Sequence, residues 1–153
     1  VLNPAFLFLL VSWVTWSAWD VSRPQVSSLA DTELSNAMVY FENGDFDNAV
    51  LQLELVVENH QNTSAANHAS FYLGRTAFIN GNKDKALMLL SQSASRLQYP
   101  ALQTEAYLML GQLDSDTNKA LKFFDKASKT ALSVNEKTYI FLPKVFSLYI
   151  GVK

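Results

Sequence analysis

His60 and His68 are the only imidazoles in this chain, and cysteine is absent. Disulfides, thiol nucleophiles and Cys-based metal sites are thereby excluded. A metal site or a histidine acid–base pair would need carboxylate partners at suitable spacing, and the polar stretch holding both histidines identifies none. There is no HExxH, no glycine loop to cradle a phosphate and no nucleophile beside a base. Asn62-Thr63-Ser64 fits a glycosylation acceptor, but that tripeptide is frequent by chance and carries no weight. The chemistry left is contact chemistry, so the chain reads as non-catalytic, with no cofactor and no metal. Its most conspicuous carriers are Trp13, Trp16 and Trp19, which recur every third residue and form one slowly drifting stripe on a helix. Indoles suit the boundary between hydrocarbon and headgroups. They equally suit a contact stripe against another membrane subunit, and Trp13 lies deep for a boundary residue.

The elements that must position such residues follow from composition. A chain of 153 residues has room for one domain, or for a smaller domain plus a membrane segment. Apolar residues make up 49% and charged residues 17%, below the roughly 25% charge of ordinary soluble domains. The shortfall is concentrated at one end, since Val1 to Trp19 carries no charged side chain. A net charge of -2 with scattered Lys and Arg gives no basic stripe for phosphates, which argues against nucleic acid.

Residues 1–20 read as a transmembrane or signal-anchor helix. Ala5 to Trp19 is interrupted only by Ser12, Thr15 and Ser17, and Asp20 ends it. A span needs roughly 20 residues with a lower limit near 17, which the run meets when counted from Val1. A buried helix or a signal-peptide core remain alternatives, although the bulky residues near Trp16 to Trp19 do not resemble a cleavage site. Beyond the run, Arg23 is the only basic residue before Arg75. That poverty of positive charge predicts a single-pass protein whose C-terminal domain is translocated, in a bacterium to the periplasm.

Residues 21–30, with Pro24 and its neighbouring serines, read as a linker. From 31 to 153 the pattern is helical. Asp31 is a plausible N-cap ahead of Leu34, Ala37, Met38 and Phe41, an amphipathic stripe that Gly44-Asp45 ends. A second helix from Phe46 to about His60 completes a hairpin. The same grammar returns at Phe71 to Ile79 with Ala86 to Leu97, and at Glu105 to Leu113 with Ala120 to Ala127.

Through Gly44-Asp45-Phe46-Asp47-Asn48-Ala49, Leu73-Gly74 with Gly81 and Ala86, and Ala120 with Phe124 and Ala127, residues 31 to about 133 resemble the tetratricopeptide repeat family. The first repeat departs from the pattern with Asn36-Ala37 for the Leu-Gly pair, and the third has Ser115 where glycine is usual. The resemblance implies an all-α fold. It would be a right-handed stack of antiparallel helical hairpins, about three repeats, closed by a C-terminal capping helix and preceded by the N-terminal transmembrane helix. It also implies a concave groove lined by the first helix of each hairpin, with Met38, Phe41, Phe71, Arg75, Phe78 and Met109 facing a partner, beside Leu34, Glu105 and Gln112. The family's carboxylate clamps place Lys, Asn and Arg there, so a clamp for acidic chain ends is disfavoured. The tail from Val134 to Lys153 is apolar nearly all round and contains Pro143, which suits either a buried cap or a docking surface.

These features predict a protein–protein interaction scaffold, an accessory subunit of a membrane protein complex whose partners are integral membrane subunits. The alternative is a membrane-tethered adaptor that recruits soluble clients or peptides through the groove. The deep Trp13 and the apolar tail favour the fixed subunit.

Overall fold

The computed structural model describes residues 4–133, with side chains at 11–16 and from 28 onward, together with Lys137, Ile140, Phe141, Pro143, Lys144 and Ser147. Among them there are six long α-helices and no strand. They are α1 (Pro4–Glu42), α2 (Phe46–Asn59), α3 (Ser64–Ile79), α4 (Lys83–Ser93), α5 (Pro100–Leu113) and α6 (Thr117–Thr130).

Short connections force antiparallel hairpins, and each is built by local capping chemistry. Asp45 accepts a hydrogen bond from the Asn48 amide at the start of α2, and Asn82 does the same for Lys85 at the start of α4. Ahead of each cap sits a glycine in the left-handed region, Gly44 at φ 77° and Gly81 at φ 73°, where a side chain would be strained. The third turn lacks this glycine and uses another device. Asp114 is extended and its carboxylate accepts from the Asp116 amide at 2.9 Å, while Asp116 caps α6. Ser115 therefore needs no positive φ.

The helices pair as α1 with α2, α3 with α4 and α5 with α6, and successive pairs stack. First helices touch one another, α1 on α3 and α3 on α5, so they form one continuous layer. The backbones of α2, α4 and α6 stay apart. Lys85 Nζ and Glu54 Oε1 bridge the gap between α2 and α4 at 2.9 Å. Ala49, Ala86 and Ala120, the small residues that align in sequence, are all buried, as close helix approach requires. Closer still, a Cβ on Gly74 would lie 2.9 Å from Leu90 Cγ, and one on Gly111 would lie 2.6 Å from the Phe124 ring. One core cluster joins Ala30 and Ala37 of α1 to Leu53, Val56 and Leu73; the other is built on Phe71, Leu90, Leu110, Phe124 and Ile140. Most of the expected capping helix lies outside the described residues. Within it Ile140 is buried in that second cluster and Lys144 pairs with Asp125 of α6.

Two expectations are corrected. Residues 21–30 are helical rather than a linker, and Asp31 sits inside α1 rather than capping it. Hydroxyl residues here satisfy themselves within the helix, Thr32 donating to the Ser28 carbonyl at 2.9 Å and Ser35 to that of Asp31 at 2.8 Å. Pro24 forfeits one backbone hydrogen bond and crowds the preceding turn, yet α1 runs through it to Ala30 and Ala37 in the core. α2 begins at the expected Phe46, and α3 to α6 begin three to seven residues before the expected starts, because cap residues rather than the first apolar residue set the start.

Candidate functional site

The residues expected to share a groove divide by burial. Phe71 is fully buried and Met109 is 6% exposed, both in the core cluster. They hold the stack together and face no groove, because the helical period turns them from the outer side of the first-helix layer toward the second helices. Phe78 is half-buried against the same cluster. Phe41 is half-buried too, with its ring edge-on to Phe46 at 5.3 Å and tilted on Tyr72 at 5.7 Å, a clasp between α1, α2 and α3. Arg75 is engaged: its Nε lies 3.1 Å from Glu105 Oε1, bridging α3 and α5.

Of the expected set, Met38 lines an open cavity on the first-helix layer. The cavity measures about 440 Å³, within the range of ligand sites. Asp31, Ser35 and Met38 reach it from α1, His68 and Tyr72 from α3, and Tyr99 from the connection before α5. The His68 ring stacks on Tyr99 with centroids 5.4 Å apart and an interplanar angle of 19°. Its Nε2 is buried and has no hydrogen-bond partner among the described residues. Burial lowers the His68 pKa below its ordinary 6.5, and the nearby Asp31 charge opposes that shift only in part. The imidazole is therefore neutral at pH 7, with one ring nitrogen able to accept. Tyr99 holds its place through Pro100, which occupies the first helical position of α5. A second cavity, about 500 Å³, lies between α2 and α4 over α3, with Glu54, Asn62, Lys85, Gln92 and Arg96 at its walls.

His68 was visible in sequence only as a residue in a polar stretch. The signal that locates it is the helical period, since His68, Tyr72 and Arg75 recur at i, i+4 and i+7 on α3. Its pairing with Asp31 and Tyr99 comes from the stacking of α1 and the α5 start against α3, which no local pattern encodes.

The N-terminal arm of α1 is a separate surface. Trp13 is 69% and Trp16 74% exposed, with Val11 and Val14 exposed between them. The Thr15 hydroxyl donates back to the Val11 and Ser12 carbonyls, both at 3.0 Å, so it asks for no external partner. The side chain of Trp19 lies outside the described residues. Among the described residues no helix is long and apolar enough to cross a membrane. Most of the expected 1–20 anchor falls beyond that statement, because residues 1–3 and the side chains of 4–10 and 17–20 lie outside the description. Among the described residues no group of three or more His, Asp or Glu could hold a metal ion.

No protein-family model matches this chain, and no curated protein matches it.

Proposed function

We propose that this chain is a non-catalytic scaffold of the tetratricopeptide-like kind, an accessory subunit fixed in a membrane protein complex by its apolar N-terminal arm and its helical stack. The observation that carries this reading is the continuity of α1. A single helix of 39 residues contains the uncharged apolar run and, without a break, the residues Ala30 and Ala37 that lie in the core. At 1.5 Å per residue the part ahead of Ala30 extends about 39 Å. An adaptor that searches for soluble clients needs a flexible tether; a rigid strut instead fixes the height and rotation of the stack relative to whatever seats the arm. Exposed Trp13 and Trp16 give that seat large contact area with few rotatable bonds, and Thr15 closes its own hydrogen bond, which suits an apolar environment. The depth of Trp13 and the scarcity of Lys and Arg before Arg75 favour integral membrane subunits as partners and a translocated stack.

The test is extraction in mild detergent followed by pull-down and native sizing of three forms: the full chain, a chain lacking residues 1–20, and a full-length chain with a flexible Gly-Ser segment replacing 22–27. Stoichiometric assembly of the full chain, lost in both variants, is the expected result. Assembly that survives the flexible segment makes the arm a tether and moves the function to the adaptor reading.

A further inference from the structure

We propose that the cavity over His68 is a receptor for a basic side chain of a partner protein, an arginine guanidinium or a lysine ammonium, with His68 Nε2 as its buried acceptor and the Asp31 carboxylate as its counter-charge. The inference rests on the scaffold reading for the source of that side chain and on the cavity's own geometry for everything else.

The first argument is an unmet hydrogen bond. Nε2 of His68 is the one buried side-chain polar atom without a partner among the described residues, and such an atom destabilises the fold until something pairs with it. A neutral imidazole carries its proton on either ring nitrogen; a donor arriving at Nε2 selects the Nδ1 tautomer, in which Nε2 accepts. Charge decides which donor. Among the described residues two other acidic groups of this layer are already engaged, Glu33 with His60 at 2.8 Å and Glu105 with Arg75 at 3.1 Å. Asp31 makes no ion pair among the described residues, and no Lys or Arg occurs between Arg23 and Arg75 to supply one. Among the described residues no cation of the stack pairs with His68 or Asp31, which leaves that position to one from a partner.

Shape narrows the choice. Tyr72 and Tyr99 border the cavity on either side of His68, and a planar guanidinium can stack on such rings while its fork of donors reaches two acceptors, which a point-like ammonium does less well. Leu34, Met38 and Leu102 supply apolar wall for the methylenes of the same side chain. Tyr99 stacks on the His68 ring, yet it is mostly exposed, and as the N-cap of α5 it makes no side-chain capping bond. Its ring can swing off His68 without breaking a hydrogen bond of the helix start.

The experiment uses the full chain in detergent micelles with 15N-labelled histidine. It is titrated with Nα-acetyl-arginine methylamide, then with the citrulline analogue, which keeps the shape and lacks the charge. Expected is a saturable shift of the His68 Nε2 resonance with arginine and none at His60, a citrulline affinity at least about tenfold weaker, and a similar loss for arginine in Asp31→Asn, each tenfold being 1.4 kcal/mol. His68→Phe should abolish binding; a thermal melt of each variant, together with the unchanged His60 resonance in Asp31→Asn, separates lost binding from lost folding. The proposal is overturned by equal binding of citrulline, by arginine binding that ignores Asp31→Asn, or by no shift at about a hundredfold excess over a millimolar Kd. An ordered water on Nε2 would give that last result. Arginine binding with no assembly in the detergent pull-down leaves the cavity standing and the subunit reading fallen; assembly without arginine binding does the reverse.

Discussion

Phe71 and Trp16 are both large aromatics on helices of the first layer, and both read in sequence as partner surface, yet one is fully buried and the other is 74% exposed. The difference is what stands around them. In the stack, α3 is flanked by α1, α2, α4 and α5, so the side of the helix that a period of 3.6 assigns to Phe71 is enclosed. Along the arm of α1 the apolar side chains at Val11, Trp13, Val14 and Trp16 are exposed in spite of their hydropathy. Apolarity therefore reports a demand for cover; only the arrangement of neighbours says whether this chain meets it.

The largest effect should come from the enclosed side of that comparison. Phe71→Ala is expected to cost about 3–5 kcal/mol, the usual range for an aromatic deleted from a packed core, read as a lowered urea midpoint at unchanged m-value. Loss of only a few tenths would mean that Phe71 is exposed in solution and would restore it to a binding surface. Next is the close approach in the third hairpin. Gly111→Ala places a Cβ 2.6 Å from Phe124, and overpacking of this kind costs about 1–3 kcal/mol, against a gain of roughly 1 from helix propensity. The melting temperature should fall. Gly74→Ala meets Leu90 Cγ at 2.9 Å, a longer approach than that of Gly111, and should fall less.

How much of this was legible follows from the same contrast. The hairpin turns were readable, because Gly44-Asp45 and Gly81-Asn82 encode a left-handed residue and a cap within a few positions. Ala49, Ala86 and Ala120 were readable because small residues recur in phase where helices meet. Helix 21–30 was not: Pro24 and serine are loop signals locally, yet α1 continues through them into Ala30 and Ala37, which pack on other helices. Core and cavity on the first helices were readable as a stripe and unreadable residue by residue, since Phe71, Tyr72 and Arg75 are neighbours on α3 with three different environments: core, clasp and ion pair. The cavity over His68 needs α1, α3 and the start of α5 together, so no window of sequence contains it.

The cavity sharpens the comparison from its half-covered middle. Because burial lowers the His68 pKa, the unfolded chain binds a proton as pH falls through about 6.5 that the folded chain resists. The stability held above that pH is therefore lost progressively on acidification and levels off below the folded-state pKa. Urea unfolding at about pH 7.5 and about pH 5.5 should show a smaller acid loss for His68→Phe than for the parent chain. An equal loss in both would place the acid sensitivity elsewhere. The Arg75–Glu105 pair, half-exposed at both ends, should matter less again: Arg75→Ala is expected to cost no more than about 1 kcal/mol, as exposed pairs do, with the cost shrinking as salt is raised.

The smallest effect on stability is expected where the hydropathy is highest. Trp13→Ala and Trp16→Ala remove more apolar surface than any substitution above, yet both side chains are mostly exposed. Surface substitutions of this kind stay within about 0.5 kcal/mol, so the melts of both variants in detergent should overlay the parent. The same variants should lose the stoichiometric assembly on which the subunit reading depends, because buried tryptophans at an interface cost 2 kcal/mol or more when truncated, about thirtyfold in affinity. A destabilised domain with assembly intact would reverse both halves of the comparison: the arm would fold back on the stack, and the partner would be held elsewhere.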